Sequence, residues 1–346
     1  MKAKGGQGML IRDALIYGED FRPQRGDLAV REGKIAAIGE HLDPGAWGEV
    51  LDARGARLAP GLIDIHVHGG LGYGVEDATA ASLDAISRLL ASKGVTSFCP
   101  TTSSAAPEAL EAAFRAVGQH MGRERGAYIH GVHMEGPFIA TAQCGAQDPR
   151  HVRWPSAEEL RRLRRHAPIA ILGMSPELPG ALALARELAS RSRVAFAHSE
   201  ATYEEARAGI EAGFSHAQRL FCDMPALHHR MPGLAGAVLD APGVTAELVC
   251  DGAHLHPAAA RLAFRLLGRA APWPSATPQS PRACPRGPTA SAARNISART
   301  APYIPAGSAR WRAAMPRSTT AFATCSPGGL PRIWLCGRSP STQPAW

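Results

Sequence analysis

The run Ala59-Pro60-Gly61-Leu62-Ile63-Asp64-Ile65-His66-Val67-His68-Gly69 constrains this chain more than any other. Leu62 to Val67 reads as one buried strand, started by a Pro-Gly turn and stopped by Gly69-Gly70. Side chains two apart on a strand share a face, so His66 and His68 leave its C-terminal end together and can address one metal ion.

From Leu62 onward, strand-like and helix-like stretches alternate, as in a parallel α/β fold. The predicted pairs are strand 62–67 with helix 80–93, strand 95–99 with helix 107–119, and strand 128–134 with helix 156–166. Strand 169–174 with helix 179–190 follows, then strand 194–198 with helix 203–212, a short strand near 214–217, and strand 244–250 with helix 257–267. Pro155-Ser156 followed by Glu158 and Glu159 is a good helix start. Upstream, residues 9–58 alternate short apolar runs with Gly, Asp and Pro turns, which predicts a small antiparallel sheet that must pack on something else.

Composition changes abruptly near the end of the last predicted helix. Residues 269–346 hold 13 of the 28 prolines, with no acidic residue, no Lys and no sustained period, so disorder is expected there. Pro, Arg, Ser and Ala dominate, as they do when GC-rich DNA is translated out of frame, and a frameshift near codon 269 is the expectation, with a basic tail as the alternative. From Gly252 to Trp346 there are twelve Arg and no carboxylate, a charge of +12, which leaves −4 for residues 1–251 out of the overall +8. The basicity therefore belongs to one segment without the aromatic interleaving that stacking on bases uses, and no nucleic-acid partner is expected. The seven cysteines are scattered and form no Cys-x-x-Cys pair, which argues against a disulfide framework. Without a secretory or membrane-spanning run, the expectation is a soluble, cytoplasmic protein with no membrane partner.

Further motifs stand at the predicted strand ends and in the loops that follow them. They are His133-Met134-Glu135-Gly136-Pro137-Phe138, Gly145-Ala146-Gln147-Asp148-Pro149, Ser175-Pro176-Glu177 and Ala197-His198-Ser199-Glu200. Met224-Pro225-Ala226-Leu227-His228-His229-Arg230 and Asp251-Gly252-Ala253-His254-Leu255-His256-Pro257 follow. With the His-x-His strand they resemble the amidohydrolase superfamily, and within it the deacetylases that remove acetate from N-acetylglucosamine 6-phosphate. The resemblance implies a (β/α)8 TIM-type barrel over residues 59–268, of which seven strands are legible, with a small β-domain over residues 1–58 and the Pro/Arg-rich segment 269–346 beyond. It implies a divalent metal ion, zinc or iron, held by Glu135 and His198 with His66 and His68 supporting it or a second ion. It also implies a sugar-phosphate site with Ala146 and Gln147 lining the sugar, Cys222 and Asp223 standing where the family has its Asn-Ala, and Arg230 and His254 holding the substrate, and a homodimer of the kind family members commonly form.

Two departures qualify that reading. Arg219 stands where the family has a further metal-ligand His, and a guanidinium has no lone pair to offer a cation. His216 lies three residues earlier, which on a continuous strand would put it on the opposite face. The family's acid/base Asp, expected at the end of an eighth strand, has no counterpart, because no carboxylate follows Asp251. The alternative to an active deacetylase is therefore a non-catalytic frameshifted remnant or a sugar-phosphate-binding pseudoenzyme.

Overall fold

The computed structural model describes residues 8–18, 22–267 and the backbone of Ile333–Cys336. The rest of the Pro/Arg-rich segment, with its predicted disorder, lies outside the described residues. The chain divides into two compact units, which are taken separately.

The smaller unit is built on β1 (Met9–Tyr17), β2 (Pro23–Arg31) and β3 (Lys34–Gly39), paired antiparallel in that order as predicted. β4 (Glu49–Asp52) and β5 (Arg57–Pro60) then join β1 in parallel, so the sheet is mixed where an antiparallel one was expected. Ile11, Ala14, Ile16, Leu28, Ala53 and Leu58 bury its apolar core.

The larger unit begins with β6 (Leu62–Val67), followed by a ribbon of β7 (Gly69–Gly70) and β8 (Tyr73–Gly74). Next come α1 (Ala80–Ala91), β9 (Val95–Thr102), α2 (Pro107–His120), β10 (Tyr128–Ile129), β11 (Val132–Glu135) and α3 (Ala157–Arg164). β12 (Ile169–Met174), α4 (Ala181–Leu188), β13 (Arg193–Phe196), α5 (Tyr203–Ala212), β14 (Phe214–Ala217), α6 (Gly233–Asp240), β15 (Thr245–Ala246) and α7 (Pro257–Leu267) complete it. Helix starts follow the local chemistry: Thr79, Ser156 and Thr202 each cap a helix by accepting a backbone N–H three residues on. Leu83, Ile86 and Leu90 form the buried stripe of α1. Last in chain order, the backbone of β16 (Ile333–Cys336) pairs antiparallel with β5 in the smaller unit.

β9, β11, β12, β13, β14 and β15 pair in parallel and in sequence, with β6 on the far side of β9, giving seven barrel positions among the described residues. The sheet curls: Ile65 on β6 shares a buried cluster with Ile171 and Ala195 on β12 and β13, neither of which β6 pairs with. Three local expectations are corrected. The predicted strand 128–134 is two strands, because Gly131 at φ +150 breaks it. The predicted strand 244–250 keeps only Thr245–Ala246 as ladder, since the backbone N–H of Glu247 still bonds Ala217 but its carbonyl is taken by Leu220 beyond the end of β14. The helix α6 was not predicted, because its sequence, Gly-Leu-Ala-Gly-Ala-Val-Leu-Asp, has no polar face to set a period.

The register aligns the strand ends. Glu135 pairs with Gly173, Met174 with Phe196, Phe196 with Ala217 and Ala217 with Ala246, so the residues that follow each strand emerge along one rim. Asp64, on β6 two residues before His66, is fully buried; Oδ1 accepts the His66 backbone N–H at 3.1 Å and Oδ2 has no hydrogen-bond partner. Burial pushes its carboxyl up to about 8. Between roughly pH 4 and pH 8 the folded chain thus holds a proton that the unfolded chain has lost, and this group makes stability fall as pH rises through that window. The stability advantage of Asp64→Asn over the unmodified chain is expected to widen from about pH 5 to about pH 8 in urea unfolding. A difference that stays constant with pH would mean that Asp64 is ionised in the fold.

Candidate functional site

At the C-terminal end of β6 the two imidazoles meet a carboxylate. His66 Nε2 lies 3.2 Å from His68 Nε2 and 3.2 Å from Glu135 Oε1, and His68 Nε2 lies 3.1 Å from Glu135 Oε2. All three residues are buried. Three of the four expected metal ligands, His66, His68 and Glu135, are therefore brought together, Glu135 reaching the rim because β11 ends on it and Gly136, at φ +74, turns the chain away at once. A Cβ at Gly136 would stand 2.4 Å from Ser104 Oγ and 2.8 Å from Gln147 Oε1, so the close turn needs glycine.

The spacing fits a metal ion. In a tetrahedron with bonds of about 2.0–2.1 Å, neighbouring donors sit about 3.3 Å apart, close to the 3.1–3.2 Å found here. Glu135 Oε1, buried, makes no aligned hydrogen bond to any of its neighbours. An oxygen and two imidazole nitrogens directed at one another call for a cation or a proton between them. Without an ion, the proton is on His66: burial alone would lower its pKa, but the Glu247 and Glu135 carboxylates push it up to about 9. His133, by contrast, is held neutral, pushed down to about 3 by burial and by His66. Its Nδ1–H donates to the Ile65 carbonyl at 2.6 Å, and its Nε2 faces the Gln218 amide.

The other half of the expected metal site is filled by protein. His198 follows β13 at φ +46 and donates Nδ1–H to the Gln143 carbonyl at 2.8 Å, which turns its Nε2 lone pair toward Glu135 Oε1, 3.3 Å away. Arg219 Nη2 reaches that same nitrogen at 2.5 Å, Glu135 Oε1 at 3.0 Å and Asp223 Oδ2 at 2.9 Å. The guanidinium thus donates into the lone pair, and forms an ion pair with the carboxylate, that an ion would have taken. Glu135 is held well below the usual carboxylate range despite its burial, with Arg219 the foremost cause and His66 behind it. At an effective dielectric constant of about 20, two unit charges about 4 Å apart repel by about 4 kcal/mol, so a divalent ion beside this guanidinium meets a penalty of roughly twice that. The residues present fit one ion at His66, His68 and Glu135, and do not fit a second at His198.

His216 corrects the expectation that it faces away from Arg219. The strand ends at Ala217 and Arg219 sits beyond it at φ +43, so strand alternation does not relate the two. His216 Nε2 lies 3.1 Å from Glu247 Oε1, and Glu247 Oε2 lies 2.7 Å from His66 Nδ1. Glu247 was not anticipated; a lone carboxylate inside the apolar run Val244 to Cys250 is the signal that could have found it.

Of the predicted substrate residues, Gln147 joins the centre. Its Nε2 donates to Glu135 Oε2 at 3.2 Å and lies 3.2 Å from His198 Nε2, while its Oε1 accepts the Ser104 N–H at 2.7 Å. Ala146 lies beside it, and Gly145, at φ +59, runs so close to Asp223 that a Cβ would stand 2.6 Å from Oδ1. Cys222 is half-buried, its thiol pushed up to about 11 by burial. Arg230 and His254 are exposed outside this cluster, and His254 bonds Asp251 through Nδ1 at 2.7 Å. No helix among the described residues is long and apolar enough to cross a membrane.

The amidohydrolase family model matches residues 57–272. The chain is 31% identical over 265 residues to an N-acetylglucosamine-6-phosphate deacetylase of Lysinibacillus sphaericus, covering 75% of this chain and 68% of that one. It is 35% identical over 240 residues to an N-acetylgalactosamine-6-phosphate deacetylase of Escherichia coli O157:H7, covering 68% and 62%. Among solved structures, it resembles a mutant N-acetyl-D-glucosamine-6-phosphate deacetylase of Mycobacterium smegmatis in complex with N-acetyl-D-glucosamine-6-phosphate, with a TM-score of 0.67, 29% identity, and coverage of 76% and 68%.

Two measurements test the centre. An ion must displace the His66 proton, so below about pH 9 the apparent zinc affinity should rise about tenfold per pH unit; a flat profile from about pH 6.5 to about pH 8.5 would show that His66 is already neutral. The chain is expected to take up no more than one equivalent of zinc or iron, and Arg219→His to take up more. More than one equivalent bound to the unmodified chain by elemental analysis would defeat the assignment of Arg219 as the competing cation.

Proposed function

The chain belongs to the amidohydrolase family, and we propose that its barrel is that of a metal-dependent deacetylase acting on N-acetylglucosamine 6-phosphate, releasing glucosamine 6-phosphate and acetate. The observation that carries this reading is the convergence of His66, His68 and Glu135 on one point of the barrel rim, with the Gly145-Ala146-Gln147 loop against it. The names of the relatives agree on the 6-phosphate of an N-acetylated amino sugar and differ in the hexose.

His66, His68 and Glu135 would hold the ion. When bound, a divalent ion at such a centre lowers the pKa of water toward neutrality and polarises the acetamide carbonyl. The chain's own residues do the remainder. Gln147, fixed through Oε1 by the Ser104 N–H, presents its amide beside Glu135 and orients whatever enters there. Arg230 is the natural bidentate partner for the sugar phosphate, and His254, steadied by Asp251, is the proposed second substrate contact. Water adds to the acetamide carbon, the C–N bond breaks, and a proton must reach the departing nitrogen. For that last step no carboxylate follows Asp251, and Asp251 itself is engaged by His254 and two backbone N–H groups.

A second reading, a sugar-phosphate-binding protein without turnover, is favoured by one observation: Arg219 occupies the Glu135, His198 and Asp223 acceptors together. A missing proton shuttle alone removes about 10²–10⁴-fold of rate. Acetate release from N-acetylglucosamine 6-phosphate by the unmodified chain is therefore expected to be undetectable or several orders of magnitude below a complete relative. Arg219→His alone should not restore it, whereas that change with an in-frame C-terminus after codon 269 should. Normal, metal-dependent turnover by the unmodified chain would show that the acid/base role lies elsewhere. Failure of the doubly restored chain to turn over would refute the deacetylase reading.

A further inference from the structure

Behind the proposed ion site, a line of buried polar groups runs from β15 through β14 to β6. Thr245 Oγ1 lies 2.7 Å from His216 Nδ1, His216 Nε2 lies 3.1 Å from Glu247 Oε1, and Glu247 Oε2 lies 2.7 Å from His66 Nδ1. Glu247 and His216 are 2% and 3% exposed, so bulk solvent reaches neither. An ionised carboxylate only accepts hydrogen bonds, which requires both imidazole nitrogens facing Glu247 to carry protons. His216 protonated at Nε2 then presents a bare Nδ1, and the Thr245 hydroxyl donates there at 2.7 Å rather than to the Ser215 carbonyl at 3.3 Å. His66 protonated at Nδ1 presents a bare Nε2, and that is the nitrogen facing His68 and Glu135. With neutral imidazoles, this arrangement of protons satisfies the line from Thr245 to His66 Nδ1 and leaves the His66 Nε2 lone pair turned toward His68 and Glu135.

We propose that Glu247 is the positioning residue of this centre: backed by His216 and Thr245, it holds His66 as the Nδ1–H tautomer and so presents the Nε2 lone pair to a divalent cation. Metal-bound imidazoles commonly donate their second nitrogen to a carboxylate in this way, which fixes the ring and raises its basicity as a ligand. This role rests on the ion site of the preceding subsection. The same residues admit a rival arrangement, a separate ion among His66, His133 and Glu247. The geometry disfavours it. His133 spends Nδ1–H on the Ile65 carbonyl and turns Nε2 to the Gln218 amide, and the 2.7 Å between His66 Nδ1 and Glu247 Oε2 is a hydrogen-bond distance, shorter than the spacing of donors around an ion.

The test uses the full chain with zinc alone, at one fixed pH near 8, with a competing chelator to measure affinity and long-range ¹H–¹⁵N spectra to read the imidazole nitrogens. In the zinc-loaded chain His66 should be protonated at Nδ1 and metal-shifted at Nε2; a metal-shifted Nδ1 would overturn the proposal in favour of the rival site, whatever the variants do. Glu247→Leu should bind zinc about 10–100-fold more weakly. Glu247→Gln should lose less, because its amide oxygen can still accept from His66 Nδ1–H while its NH₂ donates to a His216 that shifts its own proton to Nδ1. Unchanged affinity in a folded Glu247→Leu chain would overturn the positioning role and leave the ion site intact. If Glu247→Leu does not fold, a Gln variant as weak as a His66→Ala chain would overturn it instead. Failure of the unmodified chain to take up zinc even at millimolar concentration would overturn the ion site and this role with it.

Discussion

The rim of this barrel is organised by a single electrostatic demand: the Glu135 carboxylate, buried at the end of β11, must be matched by positive charge. Burial disfavours the ionised form, and what holds the group ionised is Arg219, with His66 adding to it. Arg219, His66 and the His198 nitrogen that accepts from Arg219 come from three different strand ends, so the demand of one carboxylate gathers β6, β13 and β14 around β11. Removing Glu135 would leave the guanidinium with Asp223 as its remaining carboxylate partner among the described residues, and the His66 and His68 nitrogens facing one another. Breaking a buried pair by deleting one member costs more than the pair contributes, which is why the elements around Glu135 depend on it rather than the reverse.

How much of this was legible depended on whether a residue's role was local. His66 and His68 were readable because their spacing on a strand settles their common direction, and Glu135 because Gly136-Pro137 ends its strand on it. The (β/α) alternation was readable for the same reason, each element carrying its own period and its own cap. Glu247 and His216 were not, because their role exists only once β14 and β15 lie opposite β6, about 180 residues away in sequence. Strand alternation also misplaced His216 relative to Arg219, since the chain leaves β14 between them and Arg219 takes a left-handed conformation. The break in the third barrel strand escaped for a smaller reason: Tyr128 to Met134 keeps its apolar pattern across Gly131, and only the backbone angle of that glycine divides it.

The segment after β14 shows where local preference yields to the site. Arg219, Phe221 and Asp223 all adopt positive φ, at +43, +75 and +52, although none is glycine. Such conformations cost of order 1–3 kcal/mol each and persist only when surrounding contacts determine them. Here the contacts are identifiable. The Leu220 N–H bonds the Glu247 carbonyl, the Asp223 carbonyl accepts the Ser199 N–H, and the Arg219 side chain bridges Glu135 and Asp223. The backbone is shaped to return the side chain at position 219 toward the centre, and it does so with a guanidinium in place.

Charge then decides how many ions such a centre accommodates. Glu135, Glu247 and Asp223 contribute three negative charges around the rim, and Arg219 contributes one positive charge. One divalent ion at His66, His68 and Glu135, displacing the proton on His66, brings the group to neutrality. A second would leave two uncompensated positive charges where water is largely excluded, beside a guanidinium that cannot lose its proton. With an imidazole at position 219 the same three carboxylates would face a single ion with one negative charge left over, and a second ion or a retained proton would be favoured. Arg219 therefore acts in this fold as a fixed cation that takes one of two places, and the remaining place is the one that Glu247 holds open through His66.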